Sequence, residues 1–169
     1  MEFCLQDLDT AIVGRRLLHY PSLPSTMDLA RKLAREGMEE GTVVLCDEQT
    51  EGRGRQGRRW LASPSSGILM SVILRPAVEQ LPQVNMLASL AIVLTIEKAA
   101  GLKSVVKWPN DVLMKGRKVA GILVENLFHG RDLEASVVGV GLNITLDPAA
   151  PPEIATNPTS LSPEAGRTL

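Results

Sequence analysis

Residues 49–60 carry a dense run of side chains suited to binding chemistry. The run reads Gln-Thr-Glu-Gly-Arg-Gly-Arg-Gln-Gly-Arg-Arg-Trp, in which three glycines alternate with four arginines before a closing tryptophan. Glycines let main-chain N–H groups approach a ligand closely, and guanidinium groups match the oxygens of carboxylates and phosphates. We therefore predict that this segment, called here the arginine–glycine loop, wraps an anionic ligand.

The glycine spacing in this loop also matches a dinucleotide-binding fingerprint, because Gly52, Gly54 and Gly57 fit the pattern G-x-G-x-x-G. That fingerprint works only if a helix follows directly and its N-terminus holds the pyrophosphate. Pro64 and Gly67 interrupt the sequence where this helix would lie. No Gly-Lys-Ser/Thr follows either, so the sequence argues against both a Rossmann site and a P-loop.

Two further polar clusters lie downstream, at residues 107–111 (Lys-Trp-Pro-Asn-Asp) and 117–125 (Arg-Lys-Val-Ala-Gly-Ile-Leu-Val-Glu). The first surrounds a proline that fixes a bend. In the second, Lys118 begins an apolar strand, and Gly121 leaves space beside it. Each cluster alone is compatible with an ordinary solvated surface. An anion site needs several converging donors, so the three clusters together favour one shared site.

The overall charge favours a small ligand over a nucleic acid. The 169 residues include 18 Lys and Arg against 19 Asp and Glu, a formal net charge of −1. A nucleic-acid-binding domain usually has a broad basic face, and an RNA-binding arginine loop would interleave aromatic residues. The positive charge here is local, and the length suits one domain with its own core.

Cysteine, histidine and hydropathy patterns give the expected compartment. Cys4 and Cys46 are far apart, which predicts reduced and mostly buried thiols, and His19 and His129 are too isolated for a zinc site. The N-terminus lacks the basic segment of a signal peptide. The apolar run at 86–96 is too short to span a membrane. We expect a cytoplasmic protein with no membrane association.

Apolar periodicity predicts a single α+β domain, in which a mixed sheet has helices packed on one side. A first helix should start at Ser25-Thr26 and end at Gly37. A second should run from about Pro82 to Ala100 and be largely covered, because it is apolar on most of its surface. Strands are predicted at 15–20, 42–47, 67–75, 105–108, 112–114, 119–125 and 134–140, with a hairpin turn at 115–117.

The order of the motifs closely resembles the catalytic domain of biotin protein ligases, also called biotin–acetyl-CoA-carboxylase ligases. The resemblance covers roughly residues 12–169. Its fold would be a mixed, mainly antiparallel sheet of the class shared with lipoate ligases and class II aminoacyl-tRNA synthetases. It rests on Ser25-Thr26, Asp47–Trp60, Lys107–Asp111, Arg117–Glu125 and Gly139–Asn143.

The resemblance implies a two-step, ATP-dependent and AMP-forming reaction. Biotin and Mg·ATP would give biotinyl-5′-AMP and pyrophosphate, and the biotinyl group would then pass to one lysine of a carboxylase carrier domain. Lys118, Arg55 and Asp111 match the catalytic positions, and Asp111 would assist either Mg²⁺ or the incoming amine. No direct protein metal site is expected, because Mg²⁺ would enter together with ATP.

The resemblance also assigns the two halves of the site. The positions matching biotin contacts are Ser25, Thr26, Met27, Gln49, Gly52, Arg53, Gly54, Arg55, Lys118, Gly121 and Gly139. The positions matching ATP contacts are Arg55, Arg58, Trp60, Lys107, Asn110, Asp111 and Asn143. Trp60 would cover the adenine, and Gly141, with Gly121 and Gly139, would leave room for the bicyclic ring or the ribose.

This chain departs from the family pattern in two places. Met27 stands where the family commonly has Asn, so one polar donor near biotin is replaced by a side chain that could pack against the ring. Residues 159–166 resemble the lead-in to further helices and a small C-terminal β-barrel. We expect a truncated catalytic domain over 1–169 that binds biotin but turns over slowly, without a DNA-binding domain, and able to form a homodimer.

Two other functions stay open at this point. A lipoate or octanoate transfer enzyme would have a similar domain and also use a lysine, although the arginine–glycine loop and residues 107–111 favour biotin. A non-catalytic biotin- or nucleotide-binding module is the alternative from a different class. Pyrophosphate release with biotin and Mg·ATP would separate that module from an enzyme.

Overall fold

One eight-stranded sheet, in the order β1-β2-β3-β4-β8-β7-β6-β5, forms the centre of the computed structural model. The structure describes residues 10–145 and 158–168, and the backbone of 2–3. The strands are β1 (Glu2–Phe3), β2 (Leu17–Leu23), β3 (Val43–Gln49), β4 (Gly67–Leu74), β5 (Val105–Lys107), β6 (Asp111–Met114), β7 (Arg117–His129) and β8 (Asp132–Asn143). The helices are α1 (Thr26–Arg35), α2 (Leu81–Ala100) and α3 (Leu161–Ala165).

The strand pairing confirms the predicted α+β class with a mixed, mainly antiparallel sheet. Only β2 and β3 pair in parallel among the described strands, and the other neighbours are antiparallel. A parallel pair needs a crossover connection, and α1 provides it between β2 and β3. Short turns suffice for the antiparallel β6–β7–β8 meander.

The helices lie on opposite faces of the sheet, so the prediction that they pack on one side was wrong. On β8, Val137 packs in a cluster with α1, whereas the next residue, Val138, packs in the cluster with α2. Successive strand residues point to opposite faces. Residues 135–142 are all buried, so both faces of the sheet centre are apolar and each needs its own helix.

Helix α1 begins and ends near the predicted positions and is fixed at both termini. Ser25 is its N-cap residue, and Gly37, with φ of 86°, lies just beyond its end. The guanidinium of Arg75 donates to the carbonyls of Ala34 and Met38 at 3.1 and 3.0 Å, and to that of Glu134 at 2.6 Å. These bonds satisfy carbonyls that a helix C-terminus leaves unpaired.

Helix α2 has the predicted extent but is not largely covered. Its buried side, with Val84, Ile92 and Ile96, packs on the sheet, and Gly101 ends it in a left-handed conformation (φ 70°). Its opposite side leaves four large apolar side chains about half exposed: Met86, Leu87, Leu90 and Leu94.

The apolar length of α2 also exceeds what the sequence suggested. The segment Val78–Ala100 is long and apolar enough to cross a bilayer by length and composition, which corrects the estimate based on the run at 86–96. Core helices of soluble proteins pass the same test. The inner face of α2 packs against β6, β7 and β8, whereas its outer face is exposed.

The β6–β7 hairpin confirms the predicted turn and is longer than predicted. Lys115 and Gly116 take positive φ values of 48° and 76°, as the two-residue turn of a tightly twisted hairpin requires. Strand β7 then continues for 13 residues to His129, because its later residues pair with β8. Lys118 therefore belongs to a strand that is paired with its neighbours along most of its length.

The described residues give a partial view of thiols and metal ligands. Cys46 on β3 is buried, as predicted, and burial raises the pKa of its thiol to about 11. Cys4 lies outside the described residues. Within 10–145 and 158–168, no three His, Cys, Asp or Glu side chains come together in a way that could hold a metal ion.

Candidate active site

A cleft of about 470 Å³, measured with its open mouth, lies between the arginine–glycine loop and the α1 face of the sheet. The N-terminus of α1, the loop, β7 and β8 form its walls. Predicted site residues lining it are Ser25, Thr26, Met27, Gln49, Arg53, Gly54, Arg55, Trp60, Asn110, Lys118, Gly121, Gly139 and Gly141.

The floor of the cleft is made by glycines on paired positions of β7 and β8. Gly121 pairs with Gly141, and Leu123 with Gly139. A Cβ on Gly141 would lie 2.4 Å from the Trp60 ring, and one on Gly139 would lie 2.6 Å from Met27 Sδ. The glycines thus let Trp60 and Met27 settle on the sheet, and Met27 is buried there. No observation tests the predicted adenine contact of Trp60.

The N-terminus of α1 is tied to the end of β3 through Gln49. The Gln49 side-chain oxygen accepts bonds from Thr26 N and Thr26 Oγ1 at 2.8 and 3.0 Å, and Thr26 Oγ1 also bonds Ser71 Oγ at 2.8 Å. With its oxygen engaged, Gln49 retains its amide NH₂ as a donor for the cleft.

Ser25 adds a buried hydroxyl to which no other described residue is hydrogen-bonded. It is 2% exposed and lines the cleft. Its Oγ has no hydrogen-bond partner within the described part of the chain, and the same holds for Trp60 Nε1. Buried polar atoms are nearly always paired. Two unpaired ones in a single cleft indicate that a ligand with polar atoms completes the site.

A chain of polar contacts links three predicted catalytic residues on one side of the cleft. Lys118 Nζ lies 2.7 Å from Asp111 Oδ1, and Asn110 donates to the same oxygen at 3.2 Å. Arg55 donates to Asn110 Oδ1 at 2.7 Å. The Lys118 ammonium also lies 5.5 Å from the centroid of the Trp60 ring, within cation–π range. Two cations thus flank one carboxylate.

The backbone around Lys118 is braced by a segment that the sequence did not implicate. Thr159 N donates to Lys118 O at 2.8 Å, and the Thr159 carbonyl accepts from Asn143 Nδ2 at 3.0 Å. Glu164, on α3, is 4% exposed and bonds Lys115 at 2.9 Å and Arg117. Hydrogen bonds from Lys115 and Thr159 lower the pKa of Glu164 below 4.5. A charged Glu164 thus anchors this segment to the hairpin that carries Lys118.

The arginine–glycine loop folds back on itself. Gly54 N bonds Arg58 O at 2.8 Å, and Trp60 N bonds Gly52 O at 2.9 Å. The tip is a single turn at Arg55–Gly57 in which Gln56 has a φ of 58°. The next regular element is strand β4, not a helix, which agrees with the exclusion of a dinucleotide fingerprint.

Five predicted residues are not among those that line this cleft. One of them, Asp111, contacts the lining residues Lys118 and Asn110. Gly52 and Arg58 line an adjoining one between the loop and β7. Lys107 is exposed on the edge strand β5, and the amide of Asn143 is bonded to Thr159. Sequence reasoning also missed Asp28, Arg31 and Glu125, which hold Arg53. Two signals were available in the sequence. Asp28 and Arg31 are opposite charges three residues apart on a predicted helix, and Glu125 ends the segment 117–125.

Curated relatives match the chain at moderate identity. It is 39% identical over 165 residues to the "Bifunctional ligase/repressor BirA" of Bacillus subtilis, covering 96% of this chain and 51% of that protein. It is 38% identical over 151 residues to the "Biotin--[acetyl-CoA-carboxylase] ligase" of Paracoccus denitrificans, covering 86% and 62%. The chain therefore spans about half the length of the first of these and under two thirds of the second.

Solved structures and a family model agree with these matches. The Aquifex aeolicus biotin protein ligase in complex with biotin and ATP aligns with a TM-score of 0.76 and 30% identity, covering 90% of this chain and 62% of that one. The Leishmania major ligase with biotinyl-5-AMP aligns at 0.74 and 25%, covering 89% and 64%. The biotin/lipoate A/B protein ligase model matches residues 20–143. Because that match spans most of the chain, the protein belongs to the biotin/lipoate A/B protein ligase family.

Proposed function

We propose that this domain binds biotin and ATP, joins them as biotinyl-5′-AMP with release of pyrophosphate, and transfers the biotinyl group to a lysine of a carboxylase carrier domain. The observation that carries the proposal is the convergence of Lys118, Arg55 and the unpaired Ser25 hydroxyl on one cleft. The biotin, ATP and biotinyl-5-AMP complexes of similar proteins support it.

The first step needs cations at the point where the two substrates meet. An oxygen of the biotin carboxylate attacks the α-phosphorus of ATP, the bond to the bridging oxygen breaks, and pyrophosphate leaves. Both partners are anions, so their approach is opposed until positive charge offsets the repulsion. Lys118 on β7 and Arg55 on the loop supply that charge, and Lys118 stabilises the charge that develops in the transition state.

An ion pair between Lys118 and Asp111 holds the lysine side chain in the partly enclosed cleft. Lys118 and Asp111 have side chains 22% and 19% exposed, 2.7 Å apart. When the substrate carboxylate and phosphate enter, they compete for the Lys118 ammonium. Asp111 is then available to the amine of the carrier lysine, which attacks the acyl carbon of the adenylate and releases AMP.

Mg²⁺ enters this proposal with ATP. This ion usually keeps several waters and binds through substrate phosphates and one or two carboxylates. Asp111, which contacts the cleft-lining residues Lys118 and Asn110, is the carboxylate that fits this requirement. The metal would neutralise phosphate charge, while the protein residues above hold the biotin carboxylate in place.

The decisive experiment is pyrophosphate release by the chain with biotin and Mg·ATP. We expect release that depends on biotin and is not supported by lipoate or octanoate. Release with lipoate in place of biotin would assign the chain to the other activity of the family. Saturable biotin binding without any pyrophosphate release would identify a non-catalytic binding module and overturn the proposed reaction.

A further inference from the structure

A closed ring of four charged side chains fastens the arginine–glycine loop to the body of the protein. Asp28 Oδ1 accepts bonds from Arg31 at 2.5 Å and from Arg53 at 2.6 Å. Glu125 lies 3.2 Å from Arg31 and 3.7 Å from Arg53. Positive and negative groups alternate around the ring, so its net charge is zero. We call these four residues the loop latch.

Three members of the loop latch lie on elements outside the loop. Asp28 and Arg31 are three residues apart on α1, and so lie on one helix face. Glu125 is on β7, the strand that also carries Lys118. Arg53 alone comes from the loop. The two carboxylates therefore form a preset receptor for one guanidinium, whose planar fork suits paired oxygens.

This geometry changes the role expected for Arg53. Arg53 lines the cleft, but its guanidinium is bonded to Asp28 and Glu125. Arg55, two residues on, bonds Asn110 in the cleft. The guanidinium of Arg53 therefore contacts the protein body, whereas that of Arg55 contacts a side chain that lines the cleft.

We propose that the loop latch sets the closed state of the loop, and that Asp28, Arg31 and Glu125 are positioning residues for biotin that act through Arg53. This rests on the proposed function for the identity of the ligand, but not for the closure itself. Losing one ion pair leaves the latch incomplete, and ligand binding must then supply the energy to order the loop. Affinity for biotin falls accordingly, because apparent affinity scales with the closed fraction.

The closure can be tested without any ligand, because the loop contains four arginines at which trypsin cuts. Native-state cleavage tracks the population of the locally open form. Asp28→Asn and Glu125→Gln should each raise cleavage after residues 53, 55, 58 or 59, mapped by mass spectrometry, about fivefold. Glu36→Gln is the matched control, since Glu36 pairs with Lys32 on the same helix away from the loop. Cleavage of both latch variants at the control rate would overturn the proposal.

Steady-state kinetics then separate positioning from a general loss of structure. Asp28→Asn should raise the KM for biotin about fivefold and leave kcat within about twofold, because saturating biotin closes the loop and the pairing of Lys118 with Asp111 does not involve Asp28. A lower kcat at unchanged KM would contradict this. If the chain proves to bind no biotin, the cleavage experiment still decides whether the latch exists.

A double-mutant cycle decides whether Arg53 acts through Asp28. If it does, Asp28→Asn combined with Arg53→Gln should weaken biotin binding no more than Arg53→Gln alone. If Arg53 instead contacts biotin directly, the two effects multiply and the proposed role is wrong. Titration of biotin in a calorimeter measures all four corners of the cycle.

Discussion

The two sides of the cleft are held by different kinds of interaction. On one side, Lys118 begins a long paired strand, its carbonyl is bonded to Thr159, and the nearby carboxylate of Glu164 is 4% exposed. On the other, the arginine–glycine loop is fastened by ion pairs whose side chains are 29–40% exposed. Exposed pairs contribute little to stability. The difference indicates that the side with Lys118 is rigid, whereas the side formed by the arginine–glycine loop is able to open for ligands.

Removing the lysine should have the largest effect. Lys118→Ala should lower pyrophosphate release about 1000-fold, because the loop side cannot supply the charge missing from the strand side. The fold should persist, because the substitution removes only a side chain and β7 is held in the sheet by backbone hydrogen bonds. Lys103→Ala, at an exposed position, is the control. Turnover by Lys118→Ala near the wild-type rate would refute the division into two sides.

Removing the buried carboxylate should reveal how firmly the lysine side is braced. Glu164→Gln should lower the free energy of unfolding by about 1–3 kcal/mol, because Arg117 and Thr159 lose a charged acceptor. Thermal unfolding compared with Glu36→Gln, which alters an exposed pair, gives the measurement. Equal melting temperatures for the two variants would show that the brace is no stronger than a surface ion pair.

The same carboxylate gives a pH dependence with a defined sign. Bonding lowers the pKa of Glu164 below its usual 4.5, so its stabilisation is complete above pH 4.5 and is lost as the pH falls through the lowered value. The stability difference between wild type and Glu164→Gln should therefore shrink on acidification below about pH 4.5. Denaturant titrations between pH 7 and pH 3 measure it, and a difference that grows towards low pH would contradict the assignment.

Filling the cleft floor should disturb the contact between the two sides. A methyl group in Gly141→Ala would meet the Trp60 ring at 2.4–2.9 Å, so the indole must move. In a Trp108→Phe background Trp60 is the sole tryptophan, and its emission should shift to the red as it becomes more exposed. At Gly54, where a Cβ would be 3.5 Å from its nearest neighbour, alanine should leave the emission unchanged. An unshifted spectrum for Gly141→Ala would mean that Trp60 does not rest on this floor.

The smallest effect concerns a thiol on β3, the strand that leads into the arginine–glycine loop. With a pKa of about 11, Cys46 should have about 0.1% of its thiol ionised at pH 8 and be inaccessible as well. In a Cys4→Ser background, a thiol reagent should label the native protein far more slowly than the denatured one. Rapid native labelling would show that the β3 region opens as readily as the loop.

The outcomes for particular residues show what local patterns can predict. The turn at Lys115-Gly116, the ends of α1 and the absence of a helix after Gly57 follow from conformational preferences of a few neighbouring residues, and all were predicted correctly. Family motifs predicted that Lys118, Arg55 and Asn110 share a site. The side on which each helix packs was predicted wrongly, because apolar alternation does not label which face a helix will cover.

The sequence by itself determined the elements, the family and most of the residues that line the cleft, since each depends on residue types at short spacings. Only the tertiary structure decided that Asp28 and Glu125 hold Arg53, that Glu164 braces the Lys118 hairpin, and that Trp60 rests on Gly121 and Gly141. These contacts join residues 25 to 81 positions apart. Their partners are selected by the sheet order and by the crossover of α1, which short-range patterns do not encode.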